Sequence, residues 1–404
     1  MNKSLVSKEA RLPLETVLLL VAGMALLITG ALLFPIAEGS LSYYENGLYG
    51  LILVIFALQI TTLGKTPFGD VGRSIPLISA GTVIGAVGIF TCFIPDTFSW
   101  VPRLLLFIFL APGGLVLLVQ MCLSRDKLHT WISLGGALFH HLIAACSAVY
   151  VMSILSGLLI LRESLLSTRA TAVAVLAFGA SVVYLAIVLR KVYREYPETE
   201  KSSGGEIALS TDQVLILFTG ILLLLLGWLL IPVNLGTLPF SGSAQVGLLM
   251  VLIALKMLAS GDTPIGTFTR SWLVISLGMV FAALGIVSCI IPDILLLPLM
   301  ILVGLINIVS GVVGLWRILA PRLKRSQGPR VKGPAILTRL FVAQLVLNVT
   351  TIMFGLSAFV ATLIPGLVLG VILSVNGGIL LYMLYILVIL DRMQSETRSS
   401  EAPA

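Results

Sequence analysis

The most constraining feature of the chain is an internal repeat, in which residues recur at an offset of 197 positions. Gly23, Gly30 and Pro35 return as Gly220, Gly227 and Pro232. Further equivalent pairs are Thr66 and Thr263, Gly81 and Gly278, Gly88 and Gly285, Cys92 and Cys289, and Pro95 and Pro292. After Pro95 the offset becomes 198, so that Tyr184 matches Tyr382. Such self-similarity predicts two tandem copies of one structural unit.

The composition is typical of a polytopic membrane protein, because 58% of the residues are hydrophobic and only 11% are charged. Twelve apolar stretches of about 20 residues, six in each copy, are long enough to cross a hydrocarbon core. Helices satisfy every backbone amide within such a stretch. We therefore predict an all-α polytopic membrane protein with twelve transmembrane helices, arranged as two parallel six-helix repeats of three helical hairpins each.

The positions of the charged residues predict the domain limits and the topology. The first six-helix repeat covers 1–190, a cytoplasmic linker covers 191–210, the second repeat covers 211–391 and a cytoplasmic tail covers 392–404. With both termini inside, all 25 lysines and arginines except Arg103, Arg162 and Arg169 fall on the cytoplasmic side. The net charge of +7 is then a consequence of orientation, and it gives no reason to expect nucleic acid as a partner.

Pairs of glycines seven residues apart recur in the first and third predicted helices of each copy. Seven residues are about two helical turns, so each pair lies on one face. Small residues let helix backbones approach closely in lipid. The predicted helix-packing glycines are Gly23, Gly30, Gly81, Gly88, Gly220, Gly227, Gly278 and Gly285. A proline is predicted to close each of these helices at its outer end: Pro35, Pro95, Pro232 and Pro292.

This cadence of glycine, six residues, glycine, an outer proline and a returning apolar helix resembles the short-repeat membrane proteins typified by the acid-resistance protein HdeD. Members of that family have six helices in three hairpins, so this chain resembles a fused duplication of the family's unit. The resemblance implies a multi-pass protein of a bacterial or archaeal cytoplasmic (inner) membrane, linked to acid or envelope stress. The family has no catalytic residues to carry over.

A second repeated motif lies in the predicted cytoplasmic turn after the second helix of each copy. Its matching residues are Thr66, Pro67, Gly69 and Arg73, then Thr263, Pro264, Gly266 and Arg270. A turn rich in glycine and threonine that carries an arginine could bind an anion or a partner. The alternative is a compact turn shaped by its proline and glycines. The first copy also shows a weaker resemblance to the loop signature of major facilitator transporters, and those are likewise twelve-helix proteins of two parallel halves.

Neutral polar residues within the predicted helices give the best indication of a transport path, because such groups are expensive in lipid. The candidates are Asn307, Gln344, Asn348 and Asn376, all in the second copy. Gln344 and Asn348 are four residues apart and therefore share a helix face. These residues either line a path for a solute or form interhelical hydrogen bonds.

Three further features have alternative interpretations. Cys92 and Cys289 are equivalent and are interpreted as buried thiols, with a bridge between them as the alternative. His140 and His141 start the fifth predicted helix, where an interfacial role competes with a proton relay or metal site. The Pro112-Gly113-Gly114 sequence is predicted to break or kink the fourth helix.

We find no residue pattern that indicates an enzyme. The chain offers no nucleophile beside a base, no phosphate loop and no metal-ligand spacing, so we expect no catalytic, cofactor-binding or metal site. The predicted function is a non-enzymatic inner-membrane protein of HdeD-like type, acting in membrane integrity or stress resistance. The alternative is a permease or facilitator for a small neutral or weakly charged solute. The expected partners are the lipid bilayer and either further copies of the chain or other membrane proteins.

Overall fold

The computed structural model describes residues 12–95, 100–123, 137–162, 165–196, 209–263, 266–268, 270–324, 335–359 and 365–401. Within those ranges it contains twelve helices that are long and apolar enough to span a membrane, as the sequence predicts. The protein is thus an all-α polytopic membrane protein. The helices are α1 (Leu14–Ala37), α2 (Glu45–Leu63), α3 (Ile75–Phe93), α4 (Trp100–Leu123), α5 (Ala137–Leu161), α6 (Thr168–Glu195), α7 (Thr211–Asn234), α8 (Gly242–Ser260), α9 (Trp272–Ile290), α10 (Leu296–Lys324), α11 (Ala335–Ser357) and α12 (Gly366–Glu401).

The helix ends follow local residue chemistry. Gly64 and Gly261 end α2 and α8 with φ values of 66° and 76°, a left-handed conformation that a residue without Cβ adopts without strain. At the start of α7, Ser210 and Gln213 form a reciprocal capping box. The outer prolines behave differently from the prediction in α1 and α7. There Pro35 and Pro232 lie inside the last turn, and the helix continues for two more residues.

The helices group into two compact units, and these units do not follow the predicted repeat limits. One unit contains α1–α6 together with α8 and α9. The other contains α7, α10, α11 and α12. The second and third helices of the second copy therefore pack with the first copy. The repeat limits at 1–190 and 211–391 are drawn from similarity along the sequence. Helix packing does not test that similarity, so the limits stay a prediction.

The core of the first unit is formed around α2 and α8. These are the most enclosed of the described helices, with 78% and 72% of their spanning windows buried, against 11–50% for the others. Their neighbours are α3 and α9, and α1 also packs against α8 and α9. Helices in this central position contact protein on most sides, so they have little lipid-facing surface.

Two backbone hydrogen bonds join the copies within this unit in a reciprocal way. The amide of Tyr44, before α2, donates to the carbonyl of Ile290 at the end of α9, with an N–O distance of 2.9 Å. The amide of Ser241, before α8, donates to the carbonyl of Phe93 at the end of α3, also at 2.9 Å. These residues are equivalent at the 197 offset. A two-fold relation between the second and third helices of the two copies produces this exchange.

Glycines form the contacts inside each helix pair of this core. A Cβ on Gly88 of α3 would lie 2.8 Å from the carbonyl oxygen of Gly50 on α2, too close for any side chain. In the other copy, a Cβ on Gly285 would lie 2.6 Å from the carbonyl oxygen of Gly247. Backbones at this separation make extensive van der Waals contact, which is a main source of helix association in lipid.

The pairing of helices differs from three hairpins made by helices 1 and 2, 3 and 4, and 5 and 6. The closest pairs of the first copy are instead α1 with α6, α2 with α3, and α4 with α5. Gly23 and Gly30 of α1 pack against α6, whereas Gly81 and Gly88 of α3 pack against α2. In the second unit, Gly220 and Gly227 of α7 pack against α12. The α4 helix pairs with α5, which also packs on α6. The glycine faces set this pairing, because a helix approaches most closely where side chains are absent.

Cys92 and Cys289 are free thiols, both fully buried in the core of the first unit. The Cys92 thiol donates to the Gly47 carbonyl at 3.3 Å, and the Cys289 thiol donates to the equivalent Ala244 carbonyl at 3.7 Å. The structure thus holds the buried-thiol arrangement that the sequence favours.

We expect Gly50→Ala to lower the free energy of unfolding by about 1–3 kcal/mol, because its Cβ would overlap the Gly88 carbonyl and force α2 and α3 apart. Thermal unfolding in detergent measures this change. The matched control is Gly378→Ala in α12, where a Cβ meets no atom within 4 Å. That variant should be unchanged or more stable by up to about 1 kcal/mol. Equal destabilisation of both variants would contradict the role of the glycine contact.

Candidate functional site

The repeated turn is a small β-hairpin in each copy. In the first copy, β1 (Lys65–Thr66) pairs antiparallel with β2 (Gly69–Asp70), with Pro67 and Phe68 at the corner. In the second copy, β3 (Asp262–Thr263) pairs with β4 (Gly266–Thr267), and Pro264 lies outside the described residues. Gly69 and Gly266 have φ values of 135° and 155°, which residues with a side chain rarely adopt.

The polar groups of this motif are used inside the protein. The hydroxyls of Thr66 and Thr263 donate to the carbonyls of Gly69 and Gly266, each at 2.7 Å. The Arg270 guanidinium donates to the Leu12 carbonyl at 3.0 Å. Burial lowers the pKa of the Arg73 guanidinium. The contacts of Thr66, Thr263 and Arg270 favour the compact-turn interpretation over the anion-binding one, since these donors are engaged inside the protein.

The first hairpin also packs on α4. A Cβ on Gly113 would lie 2.9 Å from Pro67, and the Gln120 side chain donates to the Phe68 carbonyl at 3.0 Å. In the second copy, the Arg317 side chain of α10 contacts Gly266. The predicted break at Pro112-Gly113-Gly114 is wrong, because α4 runs continuously from Trp100 to Leu123 with Pro112 inside it. The glycines provide room for the hairpin and for α5 instead of freeing carbonyls.

Glu15 is the centre of a polar cluster that the sequence reasoning missed. It accepts from Lys65 of β1 and from the hydroxyl of Tyr193 near the end of α6. The side chain of Glu15 is 16% exposed and that of Lys65 is 37% exposed, so the carboxylate is the better shielded partner of this ion pair. In the second unit, Gln213 of α7 donates to Asp391 of α12 at 2.6 Å. Tyr193 and Asp391 are equivalent at the 198 offset, but their residue types differ and Gln213 is equivalent to Thr16, so the repeat gave no signal for this cluster.

Two of the three basic residues that the predicted topology places on the outer side, Arg103 and Arg169, lie next to acidic residues. Arg103 donates to Glu45 at 2.7 Å, and the hydroxyl of Tyr49 donates to the same carboxylate. Arg169 lies 3.8 Å from Glu38. Each of these two arginines therefore has an acidic partner within 4 Å.

The candidate path residues bond mainly to their own helices. The Asn307 side chain donates to the Val303 carbonyl at 2.7 Å, one turn earlier in α10. The Asn348 side chain donates to the Gln344 carbonyl at 2.7 Å in α11. Only Asn376 makes an interhelical bond among these amides, accepting from the Thr350 hydroxyl. Asn376 is also deeply buried.

These amides do not converge on one face. The Asn348 side-chain oxygen lies against Gly314 of α10, whereas Thr350 bonds to Asn376 of α12. Residues two apart on a helix point about 200° apart, so Asn348 and Thr350 lie on opposite sides of α11. Gly304 and Gly311 of α10 also pack against α11 at Gly355 and Ile352. The polar residues therefore serve two separate helix contacts.

Within the His140–His141 pair, His141 forms a hydrogen bond between two helices. The Nδ1 atom of His141 lies 2.7 Å from the hydroxyl of Tyr184, so this hydrogen bond joins α5 to α6. Both side chains are exposed. This geometry agrees with an interfacial role for His141.

No protein-family model, no curated protein and no solved structure matches the chain. The resemblance to HdeD-like proteins stays a prediction, and so does the weaker one to facilitator transporters. Function is therefore inferred from the contacts between the helices and turns of this chain.

We expect Glu15→Gln to lower the free energy of unfolding by about 1–3 kcal/mol, because it removes the Lys65 ion pair and weakens the Tyr193 hydrogen bond. The matched control is Glu38→Gln. Its pair with Arg169 is long and its side chain is 62% exposed, so the change should stay within about 1 kcal/mol. Chemical unfolding in detergent compares the two variants. An equal loss of unfolding free energy in Glu38→Gln and Glu15→Gln would contradict the prediction that the Glu15 contacts matter more.

Proposed function

We propose that the protein is a non-enzymatic structural component of a bacterial or archaeal inner membrane, acting in membrane integrity or in resistance to acid or envelope stress. The observation that carries this proposal is that Asn307 and Asn348 donate to carbonyls of their own helices, while Asn376 accepts a hydrogen bond from Thr350 on the opposite side of α11 from Asn348. The interhelical bond between Thr350 and Asn376 strengthens the association of α11 and α12 by about 0.6 kcal/mol. The three asparagines leave no row of amides along a common path.

The glycine contacts support the same role. In both units the closest helix pairs meet through glycines, so neighbouring backbones touch without space for solvent between them. A stress role is what the HdeD-like cadence of glycines and prolines implies.

The alternative function is a permease for a small neutral or weakly charged solute. It requires that water reach the amides of α10, α11 and α12 from at least one side of the membrane. The two interpretations therefore differ in one measurable property, which is the hydration of these positions.

Cysteine labelling in intact membranes tests this difference. On a background without Cys92, Cys122, Cys146 and Cys289, single cysteines replace Leu110, Asn307, Asn348 and Asn376 in turn. A membrane-impermeant thiol reagent is then added from each side. We expect no labelling at any of the four positions, while a variant that keeps only the exposed Cys122 reacts. Labelling at 307, 348 or 376 would favour the permease.

Survival after acid challenge tests the stress role itself. We expect cells that produce the intact chain to survive a shift to low pH better than cells with an empty vector, and the destabilised Gly50→Ala variant to protect less. The Gly378→Ala variant serves as the matched control for expression and insertion. Equal survival with and without the chain would refute the acid-resistance role and leave the packing argument intact.

A further inference from the structure

A groove on the second unit lies between α11 and α12. It has a volume of about 610 Å³, and its walls are mostly apolar. Val342, Val346 and Ile379 form its length, while Thr338, Arg339 and the aromatic ring of Tyr382 lie toward one end. A groove of this kind combines a hydrocarbon surface with a localised positive charge.

The charged end lies at the boundary of the membrane-spanning part of α11. Arg339 is the last charged residue before the uncharged apolar run 340–357 of α11, so it stands near the level where lipid phosphates meet water. Val342 and Val346 follow one and two turns deeper, up to about 10 Å along the helix from Arg339. Arg339 is exposed and forms no ion pair with any residue that the structure describes.

The first copy provides an internal comparison. The residues equivalent to Arg339 and Tyr382 are His141 and Tyr184, and these bond to each other at 2.7 Å. The equivalent of Val346 is Ala148. The hydrogen bond between histidine and tyrosine thus joins the two helices in the first copy, at the position where the second copy presents a cation and a groove.

We propose that this groove binds one anionic phospholipid, whose phosphate contacts Arg339 and Thr338 and whose acyl chain lies along Val342, Val346 and Ile379. Charge complementarity carries the choice of occupant. A guanidinium at the membrane boundary matches a phosphate in charge and geometry, and the apolar wall below it matches an acyl chain. This proposal is independent of the proposed structural role. Lipid binding tests the groove, whereas cysteine labelling tests whether water reaches the amides of α10, α11 and α12.

The test is native mass spectrometry of the delipidated full-length protein in detergent. Phosphatidylglycerol and phosphatidylcholine with identical acyl chains are added separately. We expect phosphatidylglycerol to bind more tightly, and Arg339→Gln to weaken its binding about tenfold, as expected for the loss of one charge-assisted contact. The matched control is Arg194→Gln, which removes an exposed arginine of α6 that does not line the groove and should leave the affinity unchanged.

A second pair of variants tests the apolar wall. Val342→Trp fills the groove and should lower the bound fraction of phosphatidylglycerol. Val349→Trp is the control, because Val349 is exposed on the same helix but lies outside the groove. Circular dichroism and melting temperature verify that all four variants are folded.

Three results would overturn the proposal. The first is equal binding of both lipids with no effect of Arg339→Gln. The second is displacement of phosphatidylglycerol by inorganic phosphate alone at the same concentration, which would indicate a site for a free anion. The third is a change of oligomeric mass in Arg339→Gln and Val342→Trp with lipid binding intact, which would make the groove an interface between copies of the chain.

Discussion

The close approach of helix backbones at glycines is the constraint on which the rest of the structure depends. Lipid tails are as apolar as leucine side chains, so burying leucine against leucine contributes little in a membrane. Contact between Gly88 and the Gly50 carbonyl, or between Gly285 and the Gly247 carbonyl, instead brings whole helix surfaces together. The positions of these glycines thereby decide which helices become neighbours and which helices face lipid.

Polar interactions complete this arrangement at the helix ends. The reciprocal bonds from Tyr44 to Ile290 and from Ser241 to Phe93 satisfy backbone groups that a helix terminus leaves without an intrahelical partner. Glu15 and Glu45 also lie at helix ends, in the first turns of α1 and α2. Their hydrogen bonds join α1 to α6 and α2 to α4. Charges are concentrated there because desolvation is less costly near the membrane boundary than at mid-membrane.

The two copies have diverged in their polar residues more than in their glycines. The His141–Tyr184 bond of the first copy is replaced by Arg339 and Tyr382 in the second, beside a groove. The amides Asn307, Asn348 and Asn376 are likewise replaced in the first copy, where their counterparts are Leu110, Tyr150 and Phe178. Of these three counterparts, the tyrosine alone is polar. Duplication thus preserves the packing contacts, and one copy is left to acquire a lipid-binding or polar surface.

The sequence by itself determined the twelve helices and the glycine faces, because bilayer thickness and helical periodicity act over about 20 neighbouring residues. It also identified the hairpin turn, whose shape depends on the left-handed Gly64 and the hydroxyl of Thr66. Only the tertiary structure decided that α1 pairs with α6, that Glu15 joins Lys65 to Tyr193, and that Asn348 and Thr350 serve opposite sides of α11. Partner choice depends on steric fit between helices that are far apart along the chain, and no local pattern encodes that fit.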